Sequence, residues 1–169
     1  MKPRVHGNGF IQLEITGRTR IHIWPYEDDR LKMQQTNTGI HSHRFTFHSM
    51  ILRGSLLHKK YAFVVGGKGQ HRLWVPDKDE GLVPTEIYGD LRPQGHKCFN
   101  SGEGYCMEAG DIHETRPYGR SAVTVMTKLS ILPYPPVVVI PVGQEPDNAF
   151  DRDKSNDPKV LWEIIKELI

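Results

Sequence analysis

The feature that most constrains the fold of this chain is a succession of short β-rich runs filling its first 145 residues. FIQLEI, RIHIW, FHSMILR, LLHKKYAFVV, RLWV, YCMEA, AVTVMTKLSIL and PVVVIPV are rich in β-branched and aromatic residues and are parted by Gly, Pro, Asp or Asn. Runs of this number and spacing predict an all-β sandwich or barrel. Apolar and polar residues alternate most clearly over 10–15 and 122–127, which predicts half-buried antiparallel strands. A length of 169 residues suits one domain with a sizeable core, expected to span 1–169 with the barrel over about 10–145.

The pattern changes near the C-terminus. The polar stretch DNAFDRDKSND (147–157) reads as a loop, after which Asp157 can cap a helix that has Pro158 at its first position. Val160, Leu161, Ile164, Ile165, Leu168 and Ile169 recur at helical spacing, so a helix over about 158–169 is predicted, packed on the barrel or on a second subunit. Residues 76–103 are rich in Pro and Gly and weakly patterned, as in a long lid or binding loop or a disordered segment. GGKG at 66–69 reads as a hairpin turn.

Composition excludes several classes. With 37% hydrophobic and 25% charged residues and no apolar run near the ~20 residues of a membrane helix, the expectation is a cytoplasmic globular protein without membrane contact. A net charge of +2 with interleaved signs argues against nucleic acid. The small basic cluster His58-Lys59-Lys60 reads as a solvated strand edge. Cys98 and Cys106 fit no zinc spacing and are expected to be free thiols. No Gly-x-Ser-x-Gly elbow and no zinc-protease helix is present.

What remains is histidine chemistry. GIHSHRFTFHSMILRG (39–54) places His41 and His43 one residue apart, so on an extended chain both imidazoles share a face, about 6.6 Å apart along the strand. That spacing can chelate a metal, although two histidines among nine also meet it by chance. A second segment, GEGYCMEAGDIHETRP, delivers His113 at the start of a new strand.

Together the two segments resemble the motifs of the cupin superfamily. Its first motif has His-x-His, an acidic residue four or five positions on, and a later glycine; His41, His43 and Gly54 match. Its second motif runs Gly, five residues, Pro, one residue, Gly, two residues, His, three residues, Asn. Gly102, Gly110 and His113 fall on the glycine and histidine positions, while Glu108 stands at the proline and Pro117 at the asparagine. The opening glycine of the first motif is absent from QQTNTG (34–39). The stretch after His43 is similar to small cupins with His-x-His-Pro-Trp-x-Phe-x-Ser-x-Ile-Leu-x-Gly, which Phe47, Ser49, Ile51, Leu52 and Gly54 fit and Arg44-Phe45 does not.

The resemblance implies a cupin-type double-stranded β-helix, a jelly-roll barrel with a C-terminal helix, holding a divalent metal through His41, His43 and His113. Iron(II) is the first expectation, with Zn, Mn and Ni as alternatives. The carboxylate ligand is missing, since the motif position falls on Phe47 or His48. An inward His48 would be a fourth ligand; an inward Phe47 would leave three histidines and open positions. Arg44, Phe47, Arg53 and His58 are candidates for contacting substrate, with His58 also a weaker ligand candidate and Arg116 also near the site. Glu108 and Glu114 occupy positions the motif does not use for metal.

The implied function is a metal-dependent enzyme acting on a small polar molecule, with non-haem iron oxygenase chemistry first. The alternatives are a metal-dependent isomerase, lyase or hydrolase, and a non-enzymatic cupin that binds a small ligand. A homodimer through the C-terminal helix or PYPPVVVIPV is also expected.

Overall fold

A computed structural model describes residues 1–26, 28, 37–147 and 157–169. Among the described residues two antiparallel sheets are formed by eleven strands: β1 Arg4–His6, β2 Phe10–Glu14, β3 Thr19–Trp24, β4 Phe45–Arg53, β5 Ser55–Val65, β6 His71–Asp77, β7 Gly81–Asn100, β8 Gly104–Met107, β9 Ile112–Pro117, β10 Ala122–Ile131 and β11 Val138–Pro141. One sheet has the order β1-β2-β3-β10-β4-β8 and the other β11-β6-β7-β5-β9. Each run anticipated as strand from sequence overlaps one of these elements, with ends differing by up to two residues.

The pairings are nested. β3 pairs with β10, the short segment at His41 bridges His113 in β9, β4 pairs with β8, and β5 pairs with β7. First with last, second with seventh, third with sixth and fourth with fifth is the order of a jelly roll, in which a folded-over hairpin ribbon divides its strands between two sheets. The fold is therefore the cupin-type double-stranded β-helix that the motifs imply. Nesting brings His41, which precedes β4, beside His113, which opens β9.

Two sequence expectations are corrected. Residues 76–103 are not a loop: β6 runs to Asp77, a short turn follows, and β7 is a strand of 20 residues. Its sequence hides this because most of it is solvent-exposed, so no apolar alternation marks it, and Pro84, Gly89, Pro93 and Gly95 look like breakers. A register shift opposite Lys60–Tyr61 absorbs Pro93 and Gly95. Nor is His58-Lys59-Lys60 a strand edge, because β5 lies between β7 and β9 and His58 is buried. The two lysines are matched across the ladder, Lys59 to Glu114 at 3.6 Å and Lys60 to Asp111 at 2.6 Å.

The C-terminal helix α1, Pro158–Leu168, starts as anticipated: Asp157 accepts a hydrogen bond from the Lys159 N–H at 2.9 Å and Pro158 follows. The stretch 148–156, most of the anticipated loop, lies outside the described residues, as does 34–36 of the QQTNTG segment. Leu161, Ile164 and Ile165 are buried against Val5, Ile11, Leu13, Ile23 and Val123. The apolar stripe of α1 is thus spent on its own sheet. Among the described residues no helix is long and apolar enough to cross a membrane.

That packing decides which face of the first sheet is apolar. Along β2 and β3 the aliphatic residues Ile11, Leu13, Ile21 and Ile23 face α1, and the alternate residues Phe10, Gln12, Arg20, His22 and Trp24 turn toward the second sheet. The barrel interior consequently receives the polar and aromatic half of these strands. Ile164 is fully buried, so Ile164→Ala is expected to cost about 2–5 kcal/mol in urea unfolding; a loss below about 1 kcal/mol would mean that the helix does not hold the sheet.

Candidate metal centre

His41 and His113 are fixed by main chain. Each N–H donates to the other's carbonyl, at 3.0 and 2.9 Å, and on the opposite side Ser42 N–H donates to Val137 O while Val139 N–H donates to Ile40 O. His43 is held by Gly110 N–H donating to its carbonyl at 2.8 Å. The segment carrying the His-x-His pair is therefore clamped between β9 and the chain leading into β11.

The three rings converge. Their centroids are 4.7–5.1 Å apart, and one nitrogen of each lies within 4.8 Å of the others. A common ion about 2.1 Å from each nitrogen would need the most separated pair to close by about 1–2 Å, which small side-chain rotations supply. Nδ1 of His41 donates to the Gly39 carbonyl at 2.9 Å, and Nδ1 of His113 donates to the Asp111 carbonyl at 3.1 Å. A carbonyl only accepts, so both rings are set in the tautomer that leaves Nε2 with its lone pair. In each case the carbonyl belongs to the residue two positions earlier, a repeated arrangement that orients metal-ligating histidines. The Asn8 amide stands 3.4 Å from His41 Nε2 and would have to yield to an ion.

Electrostatics favour neutral rings. The basicity of His41 is lowered by burial, against the opposing hydrogen bond to Gly39. His43 and His113 are pushed well below the ordinary imidazole value, first by burial and then by neighbouring histidines. Neutral imidazole is the form that ligates a metal. Among the described residues the convergent group contains three histidines and no carboxylate. Glu108 accepts a hydrogen bond from Thr46 Oγ1, and Glu114 accepts one from Tyr61 Oη, both away from the triad.

The choice between Phe47 and His48 is settled by the β4 pleat. Phe47, Ser49 and Ile51 are buried inward, whereas His48, Met50 and Leu52 alternate to the outer face. Phe47 packs edge-on against His43 at 5.2 Å. His48 instead abuts Gly104 of the neighbouring strand, so it is not brought to the triad. One register shift leaves Leu52 of β4 without a partner and the other lies between Lys128 and Ile131 of β10, while pairing is unbroken from Phe47 to Ile51, so neither rotates β4 at position 48.

Of the other candidates, Arg53 donates through Nη1 to the Leu168 carbonyl at 3.0 Å and so anchors the end of α1. Arg44 and Arg116 are exposed. His58 does enter the interior, where its ring lies 5.2 Å from those of both His113 and Tyr105. Its Nδ1 pairs with Thr115 Oγ1 at 2.9 Å and its Nε2 has no partner among the described residues. Burial, then the nearby Lys60, lowers its pKa to about 4.

Sequence inspection missed Tyr105, which hydrogen-bonds the side chains of Ser49 and Thr115 and whose phenol is pushed up by burial. The signal was present in the period of two that places Tyr105 beside Met107 on the inner face of β8. A cavity of about 470 Å³ opens onto His41 and His43 and is bordered by His6, Asn8, Asp77 and Leu82. The tip of the β6–β7 hairpin therefore borders the site even though it is not a loop.

The sequence matches no family model and no curated protein. Among solved structures the chain is similar to the DMSP lyase DddQ from Ruegeria pomeroyi DSS-3, at 15% identity over 75% of this chain and 44% of that one with a TM-score of 0.41. It is similar also to hydroquinone 1,2-dioxygenase from Sphingomonas sp. TTNP3 with 4-hydroxybenzoate bound, at 11% identity over 68% and 61% with a TM-score of 0.35. A third likeness is to the hydroquinone 1,2-dioxygenase PnpCD in complex with Cd2+ and 4-hydroxybenzonitrile, at 11% identity over 69% and 61% with a TM-score of 0.37. The chain spans less than two thirds of the length of each of these proteins.

Proposed function

We propose that this chain is a cupin whose His41, His43 and His113 hold a divalent transition metal, iron(II) foremost, and that it is an enzyme acting on a small polar molecule. The observation that carries this reading is the convergence of three neutral imidazoles, two of them oriented through Nδ1 by a carbonyl two residues earlier. When bound, iron(II) would supply Lewis acidity and sites for dioxygen and substrate. The residues around it do the rest: Phe47 fills the carboxylate position with an apolar edge, and clamping of 40–43 holds the ligands in place. With three neutral ligands a divalent ion keeps its full charge, which favours an anionic substrate.

Oxygenase chemistry is the first reading. A metal-dependent isomerase, lyase or hydrolase is the second, favoured by His58 and Tyr105, which place a proton-accepting and a proton-donating group beside His113. Iron-loaded protein offered a panel of small polar substrates is expected to consume dioxygen with substrate, and anaerobic conditions are expected to stop turnover. Turnover that persists without dioxygen transfers the function to the second reading; tight ligand binding with no turnover under either condition makes the protein a binding module.

A further inference from the structure

The inward positions of β3 share a property with one position of β10. Arg20, His22 and Trp24 alternate along β3, and Thr124 lies opposite His22. Each leaves a shielded polar atom without a hydrogen-bond partner among the described residues: Arg20 Nε, His22 Nε2, Trp24 Nε1 and Thr124 Oγ1. An orphaned buried polar group costs about 1–3 kcal/mol, and such groups are few in a folded protein. Four on one contiguous strip mark a surface built to be completed by something else. Trp24 and Thr124 are only 5% and 1% exposed, so bulk water does not reach them. Arg20 Nε–H and Trp24 Nε1–H can only donate, so the completing group must bring acceptors.

Charge gives the sign of that group. Arg20 acts electrostatically on Lys128 of β10, whose ammonium lies over the Phe45 ring at 5.1 Å. The basicity of Lys128 is lowered first by burial and next by Arg20, against an opposing pull from Glu14. Neither cation is held in an ion pair among the described residues. Phe45 joins this end of the strip to the triad, since its ring also stacks on His43 at 4.9 Å.

We propose that this strip is the ligand-recognition wall of the barrel and takes an oxygen-rich organic carboxylate, its carboxylate at Arg20 and Lys128 and its hydroxyl or carbonyl oxygens along His22, Thr124 and Trp24. From Arg20 to Trp24 the strand advances about 13 Å, so one carboxylate cannot serve both ends and the ligand must carry further oxygens along its length. The proposal rests on the reading of the barrel as a small-molecule site, and names the substrate class.

Calorimetric titration tests it, using metal-free and metal-loaded protein, a panel of hydroxy- and oxo-carboxylates whose lengths range up to the ~13 Å of the strip, and their primary amides. At least one carboxylate is expected to bind, with its amide weaker by about tenfold or more, and Arg20→Gln and Lys128→Met each lowering affinity by about tenfold or more. Metal stoichiometry should be unchanged in both variants, and circular dichroism checks that they fold. Equal binding of amides, an unchanged affinity in Arg20→Gln, or no binding by any member of the panel overturns the proposal. Wild-type protein that binds carboxylates but takes up no metal sinks the metalloenzyme reading alone. Protein that takes up metal and binds no carboxylate sinks this one alone.

Discussion

His113→Ala is expected to empty the metal centre: after loading with iron(II) or zinc and desalting, wild-type protein should carry about one equivalent and the variant less than about one-tenth. His113 is the single ligand contributed by β9, and without it the pair His41 and His43 would hold an ion only as an isolated chelate. The hydrogen bonds tying His113 to His41 are main-chain bonds, so removal of the imidazole leaves the backbone clamp intact. Loss of metal with a retained fold is therefore the expected combination. His48→Ala is the matched control, because its side chain faces away from the triad and should leave stoichiometry at one equivalent. Full occupancy in His113→Ala, or loss of metal in His48→Ala, would displace the three-histidine assignment.

The contrast between those two histidines shows what the sequence could convey. Strand positions were legible because β-branched and aromatic runs are local signals, and the pairing of a His-x-His segment with a distant histidine was legible because two spaced motifs coincide in order. The orientation of residues 47 and 48 was not, since it depends on where β4 pairs with β8 and β10, and a one-residue slip would exchange the two faces. A larger gap concerns the interior. Alternation over 10–15 and 122–127 predicted half-buried strands without indicating what covers the apolar face; α1 takes that aliphatic face, and the barrel is left with Gln12, Arg20, His22 and Thr124. A helix near the end of the chain thus decides the polarity of a cavity built from strands near its beginning, which no local window reveals. β7 was missed for the complementary reason: a strand exposed along most of its length needs no apolar alternation.

Gly54→Ala is expected to be the most destabilising single substitution among the motif glycines, by more than about 4 kcal/mol, whereas Gly110→Ala should cost only about 1–2 kcal/mol. Both glycines have positive φ, 77° and 90°, so both substitutions force an L-residue into the left-handed region. Their surroundings differ. At Gly110 an added Cβ meets nothing within 4 Å. At Gly54, where the chain passes from β4 in one sheet to β5 in the other, the same atom would meet main chain of the 121–122 segment, with Ser121 O at 2.1 Å and Ala122 Cα at 2.8 Å. Those atoms lie at and just before the start of β10, whose ladders to β3 and β4 prevent retreat. The corner can admit a side chain only by separating β4 and β5 from β10, which carries Thr124 of the inward strip. For a chain of this length the difference between the two variants corresponds to a separation of roughly 5–12 °C in melting temperature. If both variants melt within about 2 °C of each other, the close approach at Gly54 is not what makes that position glycine.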